Sequence, residues 1–132
     1  MTSSFPGTGP QLTIRTIPKP SDINYNGHIF GGWILSQMDI AGGLAAHQRA
    51  GGSVATVAIE GMKFHHPVLV NDLFSVYTNI VKTGRTSLTV HVEVKVMRSG
   101  LVDEILVTEG MFVFVRIDEN ARPVPIASAP AP

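Results

Sequence analysis

Polar and apolar positions alternate at period two over residues 12–17, and Pro18 and Pro20 stop the run, which predicts a short first strand. A loop dense in Asn and Gly follows over 21–32. From 30 to 48 the period changes. Ile34, Leu35, Met38, Ile40, Ala41, Leu44, Ala45 and Ala46 occupy nearly every side of a helix, so a central helix buried on most sides is expected. Gly51-Gly52-Ser53 ends it, and Val54–Phe64, rich in β-branched residues and stopped by His65-His66-Pro67, reads as a second strand. Residues 73–82 form a third. Gly84 turns the chain into the clearest strand, with Leu88, Val90, Val92, Val94 and Val96 on a dry face and Thr89, His91, Glu93 and Lys95 on a wet one. The last strand, about 105–117, is apolar on both faces through Met111, Phe112, Val113, Phe114 and Val115, which predicts a central position covered on both sides.

A strand, a long buried helix and four strands with short connections predict an α+β fold in which an antiparallel sheet of about five strands wraps one long central helix. A sheet this apolar on a single helix leaves surface uncovered, and dimerisation is the simple way to cover it. The 132 residues, 44% hydrophobic and 15% charged, suit one domain. The domain is expected over 11–122, between a flexible N-terminal tail at 1–10 and a flexible Pro-rich C-terminal tail at 123–132. Ten Lys and Arg against ten Asp and Glu give no electrostatic footprint for nucleic acid. The lack of cysteine excludes disulfides, thiolate nucleophiles and zinc-thiolate sites. The first ten residues have neither the basic leader nor the apolar core of a secretory signal. The most apolar helical stretch, 33–46, is shorter than the roughly 20 residues needed to cross a bilayer. A cytoplasmic location without membrane insertion is expected.

The segment with chemical promise runs from Asn24 to Asp39, because it sets a carboxylate in the middle of an otherwise apolar helix. An ionised carboxylate there needs compensation. It is either capped or ion-paired as part of the structure, or a reacting group. Gly31-Gly32 stands at the expected helix start, where free N–H groups and the positive end of the helix dipole can receive a developing negative charge, though a plain first turn is the alternative. Gly42-Gly43 lies inside the helix at roughly 1 kcal/mol per glycine relative to Ala. Close approach of a neighbouring backbone, across a dimer seam, is one explanation. His65 and His66 would face opposite ways in a strand and make a poor metal pair, so no metal is expected.

Three blocks carry a resemblance: Asn24-x-x-Gly27-x-x-Phe30-Gly31-Gly32-Trp33-x-x-Ser36-Gln37-Met38-Asp39; Val54-x-Thr56-Val57-x-x-Glu60-x-Met62-x-Phe64-x-x-Pro67; and Lys82-x-Gly84-Arg85-Thr86-Ser87. Over about 18–118 the chain resembles the bacterial YciA-type acyl-CoA thioesterases of the hotdog-fold thioesterase superfamily. The resemblance implies a hotdog subunit that hydrolyses acyl-CoA thioesters to free acid and coenzyme A, without a cofactor. It also implies a homodimer with a continuous sheet and interfacial active sites, commonly assembled as a trimer of dimers. Carried over by position, Asp39 would be the general base or nucleophile, and the amide of Gly31, beside Gly32, would polarise the thioester carbonyl with help from Asn24. Asp39 and Gly31 lie about 12 Å apart along one helix, so two subunits would complete each site.

The resemblance places Thr56 near the reacting centre, where its hydroxyl could orient the carboxylate or a water; a β-branched strand residue is the plainer account. Lys82, Arg85, Thr86 and Ser87 resemble contacts to coenzyme A phosphates, which suit a guanidinium, the alternative being a solvated hairpin tip. His28 departs from the common pattern, in which an acidic residue follows the glycine, and stands either as a substrate contact or as a surface histidine. Two other functions compete. A hotdog 3-hydroxyacyl thioester dehydratase would pair loop His28 with Asp39, and a non-catalytic acyl-CoA-binding sensor would need no carboxylate at 39.

Overall fold

The computed structural model describes residues 9–98 and 102–128. The chain runs β1 (Gln11–Thr16), α1 (Gly31–Ala50), β2 (Val54–Phe64), β3 (Leu73–Thr83), β4 (Ser87–Met97) and β5 (Ile105–Arg116), with a short 3-10 turn at Pro20–Asp22. The strands form one antiparallel sheet in the order β1-β3-β4-β5-β2. α1 lies on one face of this sheet and touches all five strands. The α+β arrangement of a sheet around one helix is the one expected.

Alternation decides which face meets the helix. Leu88, Val90, Val92, Val94 and Val96 of β4 are fully buried, with Phe112 and Phe114 of β5 and Phe74 and Val76 of β3 beside them. Met38 and Ala41 of α1 reach into the same core. The Trp33 ring meets Phe74 edge-on at 4.8 Å between centroids. Gly51 ends α1 in the left-handed conformation at φ 78°, its N–H donating to the His47 carbonyl.

Three expectations need correction. β5 is not central and is not covered twice. It lies between β4 and β2, and Met111, Val113 and Val115 on its outer face are only half-buried, because the chain has one helix and nothing of its own for that face. α1 is not buried on most sides either: Ile40 is 52% and Leu44 53% exposed. The tail from 123 is not free over its described part. Val124 and Ile126 donate backbone hydrogen bonds to the carbonyls of Arg116 and Arg85, and Ala127 to that of Ala50. Residues 123–128 therefore bind the β3–β4 hairpin to the end of α1. Residues 1–8 and 129–132 of the expected tails lie outside the described residues.

Gly42 has a local cause. A Cβ there would stand 3.0 Å from Cζ of Phe114 in the same chain, so any larger residue would press on that ring, and glycine lets the helix lie close to β5 without displacing it. No subunit seam is required. At Gly43 the same ring would be 3.6 Å away, an ordinary contact.

Candidate active site

The loop before α1 is organised by Asn24. Its Oδ1 accepts from the backbone N–H of Asn26 at 2.9 Å and of His28 at 3.1 Å, closing a tight turn in which Gly27 takes φ 84°. With the side-chain oxygen occupied, the amide NH2 of Asn24 remains as a donor. Phe30 then enters α1 with non-helical backbone, at φ −54° and ψ 133°, and no side-chain cap. The amides of Gly31 and Gly32 find no acceptor among the described residues. A Cβ at either glycine would meet nothing within 4 Å, so no neighbour in this chain demands glycine there. What the two glycines supply is an open approach to free N–H groups at the positive end of a 20-residue helix.

A cleft of about 290 Å³ opens at this helix end, lined by Asn24, His28 and Gly31 on one side and by Phe64, His65 and His66 on the other. Nothing in the sequence assigned the second group a role at this helix end. Those side chains arrive from the far end of β2, and no local spacing connects them to α1.

Two turns further along α1, Asp39 stands half-buried, and the hydroxyl of Thr56 on β2 donates to its Oδ1 at 2.7 Å. This contact joins the helix to the edge strand. It leaves Oδ2 of Asp39 without a hydrogen-bond partner among the described residues. Asp39 is neither capped by backbone nor ion-paired among the described residues. Exposed apolar side chains flank it: Ile40 and Leu44 on α1, Val57 and Ile59 on β2.

Lys82, Arg85, Thr86 and Ser87 lie at the β3–β4 hairpin. The Gly84 N–H donates to the Ser87 carbonyl at 2.7 Å, and Lys82 and Arg85 are exposed. The backbone link from Arg85 through Ile126 and Ala127 to Ala50 puts this hairpin at the C-terminal end of α1. A helix of 20 residues is about 30 Å long, so Gly31 and Arg85 of one chain stand at opposite ends with Asp39 between them. One chain thus brings Asp39 to Thr56 and Asn24 to Gly31, but does not bring the two pairs together.

Comparison with known proteins identifies the family. The family model of the thioesterase superfamily matches residues 26–102. The acyl-CoA thioester hydrolase YciA of Salmonella typhimurium is 42% identical over 119 residues, covering 88% of this chain and 90% of that protein. Among solved structures, the hexameric thioesterase y2039 from Yersinia pestis aligns with a TM-score of 0.87 at 40% identity, covering 92% of this chain and 98% of the other. HI0827, described as a hexameric broad specificity acyl-coenzyme A thioesterase, aligns at 0.84 and 41% identity, covering 92% and 84%. The family match and these likenesses, with the fold they share, place the chain in the thioesterase superfamily, as a member of its YciA-type acyl-CoA thioester hydrolases.

Proposed function

We propose that this protein hydrolyses acyl-CoA thioesters to free carboxylic acid and coenzyme A in the cytoplasm, as a homodimer with interfacial active sites assembled into a trimer of dimers. The observation that carries the reading is Asp39: a half-buried carboxylate in mid-helix, held by Thr56, with one oxygen free. A water whose oxygen attacks the carbonyl carbon gives its proton to Asp39, the C–S bond breaks, and the thiolate of coenzyme A leaves and is protonated. In the second chemistry Asp39 attacks the carbonyl carbon directly, the C–S bond breaks and the coenzyme A thiolate leaves, and water hydrolyses the resulting anhydride to the free acid and the Asp39 carboxylate. In both, the Gly31 amide, with Gly32 and the Asn24 NH2 beside it, stabilises the oxyanion, an interaction whose loss typically costs about a hundred- to a thousandfold in rate. The reaction uses no metal or redox cofactor, and coenzyme A is part of substrate and product.

Two copies complete the site. β2 is an edge strand with Val57 57% and Phe64 57% exposed, and an exposed apolar edge pairs readily with another chain. A two-fold through β2 sets the helices antiparallel, so the Gly31 end of one lies beside the Arg85 end of the other. The partner's oxyanion donors then approach this chain's Asp39, and Lys82, Arg85, Thr86 and Ser87 hold the phosphates. The hexameric state of the Yersinia pestis relative supports the larger assembly. No described helix is long and apolar enough to cross a membrane.

The test is thiol release from acyl-CoAs of acetyl to long-chain length by wild type and Asp39→Asn. The variant is expected to keep the oligomer and substrate binding and to lose turnover by about a hundred- to ten-thousandfold. Wild-type turnover in the variant would remove Asp39 from the chemistry. No thiol release by wild type, with ester binding retained, would make the protein an acyl-CoA sensor or a dehydratase.

A further inference from the structure

On the face of the sheet away from α1, β4 and β5 bring together side chains that the proposed hydrolysis does not use. His91 and Glu93, two apart on β4, point to the same face, and Glu109 of β5 stands directly opposite Glu93 in register. One ligand atom from each of these three residues can be chosen so that all lie within 4.8 Å of one another, and all three residues are half-buried. Nε2 of His91 is 3.0 Å from Oε1 of Glu109, and Nε2 of His65 is 2.9 Å from Oε2 of the same carboxylate.

Two carboxylates, two lysines and two imidazoles share this face, and Glu109 already accepts from both imidazoles. Two carboxylates directly opposite each other across a strand pair repel. Lys63 stands opposite Glu109 on β2, and Lys95 follows Glu93 on β4 with its ammonium 5.2 Å over the Tyr77 ring. Neither lysine forms an ion pair with Glu93 or Glu109 among the described residues. The two imidazoles offset the charge only when protonated. A divalent cation would offset it with the imidazoles neutral.

We propose that His91, Glu93 and Glu109 form a binding site for a divalent transition cation of the Zn²⁺ kind, with His65 holding the Glu109 carboxylate from outside. Metal–nitrogen and metal–oxygen bonds of about 2.0–2.2 Å set neighbouring donor atoms roughly 3.0–3.5 Å apart. The His91–Glu109 pair is a hydrogen bond of 3.0 Å, and an ion bound between the same two atoms would take the place of its proton. Rotation of the Glu93 side chain brings in the third ligand, and water fills the remaining positions. A nitrogen and oxygen donor set without sulfur suits Zn²⁺ or Co²⁺ rather than a soft ion. The hydrogen bond from His65 to Glu109 is the outer-sphere support such ligands need. The site lies across the sheet from Asp39 and adds no step to hydrolysis. The sequence pointed away from it because His65-His66 was the only adjacent pair, while the three ligands are joined by strand pairing.

The whole protein, freed of metal by chelator dialysis, is titrated with Co²⁺ at neutral pH by visible absorption and with Zn²⁺ by calorimetry. Saturable binding of about one ion per chain is expected, with Zn²⁺ displacing Co²⁺. His91→Gln and Glu93→Gln should each weaken affinity by at least about tenfold while keeping the wild-type oligomeric mass and melting temperature. Two variants are used so that a folding failure in one leaves the other as the test. Absence of saturable binding by wild type, or unchanged affinity in either variant that folds, overturns the assignment.

Discussion

β4 and β2 are each eleven residues long, yet they meet the rest of the molecule differently. β4 has a neighbour on both sides and alternates buried with half-buried positions along its whole length. β2 has a neighbour on one side only, is broken by register shifts at Thr56/Ala58 and Glu60/Lys63, and leaves Val57, Ile59 and Phe64 exposed. The first strand is finished by its own chain and carries stability. The second carries Thr56, which donates to Asp39, and in the proposed dimer a second copy finishes it.

The largest effect is expected on the finished side. Phe114, 1% exposed, should cost about 3–5 kcal/mol when replaced by Ala, read as a lower midpoint in denaturant unfolding. The same ring should make Gly42→Ala unfavourable by about 1–3 kcal/mol in wild type. In the Phe114→Ala background that penalty should vanish, because the atom 3.0 Å from the new Cβ is gone. Additive effects would show that the ring does not hold the helix at Gly42.

On the unfinished side, Val57→Lys puts a charge on an exposed edge position. It should halve or further reduce the assembly mass in light scattering and lower turnover by about a hundredfold or more, the scale of losing oxyanion donors, while the circular dichroism spectrum is unchanged. A dissociated protein with full turnover would mean that one chain holds a complete site. A smaller effect is expected at the far end of α1. Arg85→Ala should raise KM for coenzyme A esters about tenfold, the range of one charge-assisted contact, and leave kcat near wild type. An unchanged KM would remove Arg85 from the phosphate contact.

The smallest effect is electrostatic. Hydrogen bonds from His65 first, and then from His91, hold the Glu109 carboxyl below its ordinary value of 4.5. A carboxyl lowered on folding contributes stability above its unfolded value and loses that contribution as pH falls through its folded value. In chelator, the melting temperature of wild type should therefore fall more steeply below about pH 4.5 than that of Glu109→Gln. Parallel curves would show that the two imidazoles contribute nothing through Glu109.

The proposed site was unevenly legible. Asp39 and Gly31 stand out in the sequence because a carboxylate and paired glycines interrupt an apolar helix and its approach, whereas Asn24 was singled out through family resemblance. The contact between Asp39 and Thr56 was within reach only through family resemblance, since the two residues lie on different elements. Phe64 belongs to the family resemblance and His65-His66 stands out only as a poor metal pair, so neither points to the helix start; what brings them to the cleft at Gly31 is the length of β2 and its pairing with β5.

Periodicity set the strands and the helix to within a few residues, because side-chain alternation and helical spacing are local properties of the chain. Strand order was not local. That β5 lies one place in from the edge, that β2 is the edge, and that residues 123–128 return to the hairpin depend on contacts between distant segments. The same holds for Gly42, whose reason is a ring more than seventy residues away, and for the His91, Glu93 and Glu109 cluster. Such contacts form where burial and backbone pairing are satisfied together, and no single stretch of sequence contains both partners.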